Sequence, residues 1–387
     1  MRAGLVPPLV TLSPHSEALR DEVRSFLADE RAAGAFVPRV DSWISGWDEQ
    51  FSRRLADRGW LGMTIPTEYG GHGRSYLDRY VVTEELLAAG APVAAHWVAD
   101  RQVGPSLMRY GTDEQRRRYL PGIARGEIFF AIGMSEPEAG SDLANVQTRA
   151  VKVAGGWKLS GTKVWTSGAH HARACFVLAR SEPLDAAHRH AGLSQFIVEL
   201  DSPGIDIRPI KLLTGQHHFN EVLLESVFVP DALVLGRAGD GWAQVTSELA
   251  IERSGPERIL STFPLLVSYL VELERKADVD VEDTGVVGAL LARILTLRQL
   301  SLSIAGSLAD GKPVDLPAAT VKNLGTRFEG KLVELIASHA DTAPDPDAPD
   351  PFAHMLAEGL LHAPGFTLRG GTSEILRTVM ARGWGLR

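Results

Sequence analysis

The chain has 387 residues, with 40 Lys and Arg against 48 Asp and Glu, a formal charge of −8 at pH 7. At 44% hydrophobic and 23% charged it can bury a large core, a balance that excludes an intrinsically disordered chain. No basic excess or clustered Lys/Arg run offers a phosphate-tracking surface, so nucleic acid is excluded as an expected partner. The single cysteine, Cys175, rules out a disulfide framework and any multi-thiolate metal or iron–sulfur site, and fits a reducing compartment. The opening MRAGLVPPLV is too short and proline-broken for a signal segment. The apolar run Leu86 to Ala95 is interrupted by Gly90 and Pro92 and falls short of a membrane span. A cytoplasmic protein without a membrane partner is expected.

In chain order, an all-α block is predicted from Ser13 to about Gly126. Leu19, Val23, Phe26 and Leu27 share one helix face, with Ser13-Pro14 as cap and first-turn proline. TEYGGHGRS (67–75) breaks the block, and Thr112 is the expected N-cap of a helix beginning in GTDEQRRRYL. The period changes near residue 128. RAVKVAGGWKLSG reads as a hairpin turning at Gly155-Gly156, and β-type runs follow at 173–180, 194–200, 205–210 and 221–229. From Gly241 helical spacing returns, with Val321, Leu324, Phe328, Leu332 and Leu335 as one stripe; ADTAPDPDAPDP (340–351) interrupts it as an acidic loop. The expectation is an α+β chain divided at 1–127 (N-terminal helical domain), 128–238 (middle antiparallel β domain) and 239–387 (C-terminal helical bundle).

Dinucleotide, P-loop and serine-hydrolase signatures are absent from the sequence, and no His pair stands at metal spacing on a helix. His170-His171 and His217-His218 are adjacent pairs whose rings would point to opposite sides of a strand, which suits structural or surface roles. Two segments are more informative. MSEPEAGSD (134–142) ends in small residues that leave backbone N–H groups free to approach an electron-rich ligand edge, and KVWTSGA (163–169) sets the indole of Trp165 beside the hydroxyls of Thr166 and Ser167. An aromatic wall with a hydroxyl donor suits a planar heterocycle, although a strand Trp taken alone is usually core.

Together these segments resemble the acyl-CoA dehydrogenase family. The resemblance continues in LADRGWLGMTIPTEYGGHG (55–73), YGTDEQRRRYLPGIARGE (110–127), EVLLESVFVP (221–230) and LRGGTSEILRTVMARG (368–383), and so covers most of the chain. It implies an FAD enzyme that dehydrogenates an acyl-CoA at its α and β carbons, with an electron-transfer flavoprotein as reoxidant. It also implies that Met134, Ser135, Gly140, Ser141, Trp165 and Ser167 hold the isoalloxazine, and that Thr372 and Glu374 touch the FAD. Ser141 and Arg253 are assigned to the substrate side.

Many members carry the catalytic carboxylate one residue before the terminal Gly-Thr, where this chain has Gly370. Others place it on a bundle helix before an arginine, which points to Glu252-Arg253, with Glu257 as the fallback. An α C–H beside a thioester is a very weak acid, so a base must be paired with donors to the carbonyl oxygen. The backbone N–H of Gly370 and a ribityl hydroxyl are the expected donors, and burial against apolar substrate and flavin is expected to raise the proton affinity of Glu252. The alternative for Glu252 is an ion pair with a nearby helix charge, since Glu248, Glu252 and Arg253 lie within two turns.

Homotetrameric members bind the FAD pyrophosphate with an Arg-x-x-Phe and a Gly-rich run. Here Arg275 is retained, Asp278 replaces the Phe, and the acidic loop lies near the place of the Gly-rich run. This half-site looks eroded, which implies a related second chain as in the heteromeric α2β2 branch acting on steroid side-chain CoA thioesters; a homo-oligomer is the other possibility. Competing readings are an oxygen-using flavoenzyme of the same fold and a non-catalytic partner subunit.

Overall fold

The computed structural model describes residues 7–253, 255–276 and 281–386. Helices α1 (Pro14–Ala32), α2 (Ser42–Ser45), α3 (Glu49–Asp57), α4 (Tyr76–Ala88), α5 (Ala94–Val98), α6 (Gly104–Tyr110) and α7 (Asp113–Ala124) come first. Strands β1 (Phe130–Gly133), β2 (Arg149–Val153), β3 (Gly156–Lys163), β4 (Ala174–Arg180), β5 (Leu193–Glu199), β6 (Ile205–Ile210) and β7 (Phe219–Pro230) follow. The chain ends with α8 (Gly241–Glu252), α9 (Phe263–Arg275), α10 (Val281–Ala309), α11 (Asp315–His339), α12 (Pro351–Phe366) and α13 (Ser373–Gly383). The expected α, β, α order holds. Two compact units result: one gathers the segments up to Gly46, Ser75–Val93 and Ala250 onward, and the other Trp47–Arg74 and Ala94–Leu249.

In the first unit Ser13 caps α1 by accepting from Ser16 N–H, and the face Leu19, Val23, Phe26, Leu27 is buried. That face packs on α4, which is enclosed on nearly all sides. Enclosure of α4 buries Glu84 and Glu85, and both are paired: Arg24 of α1 reaches Glu85 at 2.8 Å and Arg298 of α10 reaches Glu84 at 2.7 Å. Buried carboxylates without such partners would carry a large desolvation cost.

The stripe expected on α11 is shifted. Val321, Phe328 and Leu332 are buried as predicted, but Leu324 is 46% exposed and Leu335 only partly covered. The buried line runs Val321, Gly325, Phe328, Leu332, Ile336, because Gly325 must face inward: a Cβ there would collide with the backbone carbonyl of Arg258. Helix α10 was not singled out by its sequence, yet among the described residues it alone is long and apolar enough to cross a membrane, with a mean hydropathy of 1.4 over its best window, 28% of it buried. Leu295 on it is 64% exposed.

The second unit is built on a seven-stranded sheet of order β1-β4-β2-β3-β7-β6, with β5 also pairing β4. It is mixed rather than purely antiparallel, since β1 runs parallel to β4, with Phe130 opposite Ala174. The β2–β3 hairpin turns where expected, but its two glycines differ. Gly155 adopts φ +74°, whereas Gly156 lies in β3, where a Cβ would strike the Val229 carbonyl and the Phe228 ring. Thr112 caps α7 in a full capping box with Gln115.

His96, on α5, is 5% exposed and bonds the Ser52 hydroxyl at 2.9 Å. Burial pushes its imidazole down to about 4 from 6.5. The unfolded chain therefore binds the proton more tightly, so stability is complete above pH 6.5 and is lost as pH falls toward 4, by about 3 kcal/mol. Urea denaturation midpoints measured across that window should fall with acidification, and His96→Gln should flatten the dependence.

Candidate functional site

In the second unit the two informative segments are brought together. Val164 N–H donates to Ser135 O at 2.9 Å, and Lys163 Nζ donates to Met134 O at 3.1 Å. Lys163, fully buried, also pairs with Glu136 at 2.7 Å, whose carboxylate accepts the N–H groups of Gln147 and Thr148. Burial holds the Lys163 ammonium below its ordinary range, and the Lys163 charge beside Glu136 helps hold that carboxyl low despite its own burial. One buried ion pair thus registers MSEP against KVWTS. Beyond a tight turn closed by Glu136 and Ala139, Gly140 and Ser141 are exposed, and a Cβ on Gly140 would meet nothing within 4 Å.

Trp165 adopts φ 59°, a left-handed conformation that costs a bulky side chain roughly 1–3 kcal/mol. Trp165 is nevertheless 54% exposed, with Phe219 set edge-on at 5.8 Å. The strained loop is pinned by Asn220, whose side-chain amide donates to Thr166 O at 2.9 Å and whose backbone exchanges hydrogen bonds with Thr166. Ser167 is half-buried, while the buried Thr166 Oγ1 finds no partner among the described residues.

The adjacent histidines do not diverge as expected. His170 and His171 sit in a turn, not a strand, with ring centroids 3.9 Å apart; His170 stacks on His217 at 4.1 Å and His171 on Trp47 at 4.7 Å. Asn220 Oδ1 and Nδ2 engage His217 and His170. The column buttresses the Trp165 loop through the same asparagine. Among the described residues no cluster of three or more His, Cys, Asp or Glu could hold a metal.

In the first unit Glu252, Arg253 and Gly370 converge. The Glu252 carboxylate is bonded to Arg258 Nη2 at 2.5 Å, and Arg258 is fully buried. The protein group bonded to this carboxylate is thus a cation. Glu252 is ion-paired, but with Arg258 of the 3-10 turn Pro256–Arg258 and not with a charge of its own helix. Gly370 and Gly371 adopt φ +67° and +95°, and a Cβ on Gly370 would lie 2.8 Å from Glu252 Oε1. Arg253 Nε donates to Gly370 O at 2.9 Å and Lys322 Nζ to Gly371 O at 2.5 Å. Burial pushes Lys322 down to about 7, aided by the nearby arginines. Thr372 caps α13, and Glu374 lies in its first turn. Glu257 is buried and its carbonyl accepts from Ser261 Oγ.

Arg275 stands apart at the end of α9, exposed and paired with Glu272 at 2.5 Å. Asp278 lies outside the described residues. Arg258, Lys322, Glu136, Lys163 and Asn220 were not singled out by sequence reasoning. Arg258 stands in the same ERSGPER stretch as Glu252, but its burial follows from tertiary packing.

Residues 13–127 match the acyl-CoA dehydrogenase N-terminal domain and residues 131–227 the acyl-CoA dehydrogenase middle domain. The chain is 35% identical to the acyl-CoA dehydrogenase IpdE1 of Mycobacterium tuberculosis over 94% of its own length and 96% of that protein. The chain belongs to the acyl-CoA dehydrogenase family. Family members are flavin-dependent oxidoreductases, and acyl-CoA dehydrogenation is the family's chemistry. FadE34 of the same organism is also 35% identical, over 86% of this chain but 45% of that relative, so the chain spans less than half of FadE34. Among solved structures, the Tcur3481-Tcur3483 steroid ACAD aligns over 100% of both chains with a TM-score of 0.85 and 28% identity. The ChsE4-ChsE5 complex from Mycobacterium tuberculosis covers 98% of this chain and 99% of its own, with a TM-score of 0.83 and 29% identity.

In this acyl-CoA dehydrogenase chain, Lys163→Met would leave Glu136 buried without its cation. Urea unfolding should register a loss of about 3–5 kcal/mol. Adding Glu136→Met should not restore it, because the N–H groups of Gln147 and Thr148 then lose their acceptor.

Proposed function

We propose that the chain catalyses FAD-dependent α,β-dehydrogenation of an acyl-CoA thioester to the trans-2-enoyl-CoA, with Glu252 as the base. One observation carries the reading: the Glu252 carboxylate occupies the space into which a side chain at position 370 would project, 2.8 Å from its Cβ. A carboxylate delivered from α8 thereby stands in for one delivered from the entry of the last helix, where this chain has glycine.

The residues of the second unit fit an isoalloxazine. A half-exposed indole held in a strained conformation, an orphaned buried hydroxyl at Thr166 and the open backbone at Gly140-Ser141 are features a flat, polar-edged ring would cover and satisfy. Met134, Ser135, Gly140, Ser141, Trp165 and Ser167 are assigned to the ring, and Thr372 and Glu374 to the FAD. When bound, FAD supplies the two-electron acceptor for the β hydrogen. Glu252 takes the α proton, Gly370 N–H supports the thioester oxygen as enolate charge develops, and Ser141 and Arg253 bind on the substrate side. An electron-transfer flavoprotein is the proposed acceptor from the reduced enzyme.

A related second subunit is part of the same reading. Arg275 is occupied by Glu272, and the acidic loop 340–351 is a poor neighbour for a pyrophosphate, so this chain supplies little for a second FAD. Leu291 and Leu295 of α10 are exposed, at 39% and 64%, as a helix awaiting a partner would leave them. The steroid ACAD and the ChsE4-ChsE5 complex support a heteromer and a bulky steroid side-chain thioester as substrate.

Anaerobic mixing with a steroid side-chain CoA thioester, and in parallel with octanoyl-CoA, should bleach the flavin. Glu252→Gln should slow bleaching by about 10²–10⁴-fold. Because that change leaves buried Arg258 without its anion, at a cost of about 3 kcal/mol, folding must be checked by circular dichroism. Undiminished bleaching would remove the base assignment. Co-expression with the related chain should yield an α2β2 assembly with fewer flavins than chains, and a stable homotetramer holding one FAD per subunit would refute the heteromer.

A further inference from the structure

Resting on the reading of Glu252 as base, we propose that Arg258 is its positioning residue: a buried guanidinium that holds one carboxylate oxygen so that the other meets the substrate's α carbon. Arg258 grips the last residue of α8 at two points. Nη2 donates to Glu252 Oε1 at 2.5 Å and Nε to the Glu252 backbone carbonyl at 3.3 Å. A carboxylate held through one oxygen and through its own main chain loses most of its rotational freedom, and Oε2 is left for the proton. A base tied down in this way is pre-aligned rather than recruited on substrate binding.

The guanidinium is itself immobile. Its side chain has 0% exposure and lies over the Trp43 ring with Cζ 4.9 Å from the centroid. Arg258 closes the short 3-10 turn Pro256–Arg258, whose proline fixes the backbone entry, and its carbonyl is pressed by α11 at Gly325, where a Cβ would not fit. Gly370 completes the arrangement, since its missing Cβ would lie 2.8 Å from Glu252 Oε1 and 2.9 Å from Arg258 Nη2.

Other charges face the pair. Arg253 lies beside Glu252 just beyond the end of α8, Lys322 comes from α11 and Arg369 from the loop after α12; Arg369 is in turn faced by Asp41 and Glu329, and Arg253 by Asp315. Burial pushes Lys322 down to about 7, and Arg258 and Arg253 add to that shift while Glu252 opposes it. Arg258 is the cation hydrogen-bonded to the Glu252 carboxylate. Its removal should therefore alter the aim of the base.

The test uses the FAD-loaded protein, with bleaching by a steroid side-chain CoA thioester and by octanoyl-CoA followed anaerobically over a range of thioester concentrations. Arg258→Gln should slow bleaching at saturating thioester by about 10²-fold, while the concentration giving half the maximal rate stays within about threefold. Arg258→Lys, which keeps the charge without the fork, should recover only part of the rate. If Arg258→Gln does not fold, Gly370→Ala keeps every charge while wedging the pair apart, and bleaching should slow at least about tenfold. A wild-type saturating rate in folded Arg258→Gln, or a wild-type rate in Gly370→Ala, would overturn the positioning role. A wild-type rate in Glu252→Gln would instead remove the base assignment itself.

Discussion

Two guanidinium groups buried against one indole set the architecture of the first unit. Arg258 and Arg369 lie 4.9 and 4.7 Å from the centre of the Trp43 ring, and neither can be left uncompensated in a low-dielectric interior. Arg369 is met by Asp41, whose carboxyl is held far below its usual range by that charge and by His362 despite complete burial. Arg258 is met by Glu252. Trp43 Nε1 and Asp41 N–H are in turn anchored on Ser261 at 3.0 and 2.8 Å. Segments around residues 41, 258 and 370, hundreds of positions apart, are fixed by this mutual neutralisation, and the proposed base is one of its members. Such a base is a structural anion as well, so its chemistry and the fold's stability are coupled.

Most of the element order could be read from local rules, because caps and periodicity are short-range. Ser13, Thr112, the hairpin at Gly155 and the Pro/Asp-rich break after His339 all act within a few residues of themselves. What escaped depends on distant partners. Leu324 has the right spacing for the buried stripe of α11, but the inward register is decided by Gly325, and hence by a carbonyl of the Pro256–Arg258 turn. The parallel pairing of β1 with β4 carries no local signature. Adjacent residues on a strand or an open loop point to opposite sides, but the turn holding His170 and His171 brings their rings to the same side.

The candidate site was legible to a similar depth. MSEP and KVWTS stand out by composition, and Glu252 by its place before an arginine. Lys163, Glu136 and Arg258 look like ordinary surface charges in a sequence; their burial, and hence their importance, exists only once strands and helices enclose them. Charged residues lying just beside a recognised motif are where a reading by pattern most often stops short, since motifs are noticed for what touches the ligand, not for what braces it.

The missing side chain at Gly370 also bears on how such a protein changes over generations. Because the Glu252–Arg258 pair fills the volume a larger residue would need, a carboxylate cannot be restored there by one substitution without displacing the one already present. The two locations for an acidic group exclude each other sterically as well as electrostatically. On the proposed reading, a base at position 370 and one at Glu252 are alternatives that no single substitution exchanges without passing through a chain that lacks the acid or crowds two together.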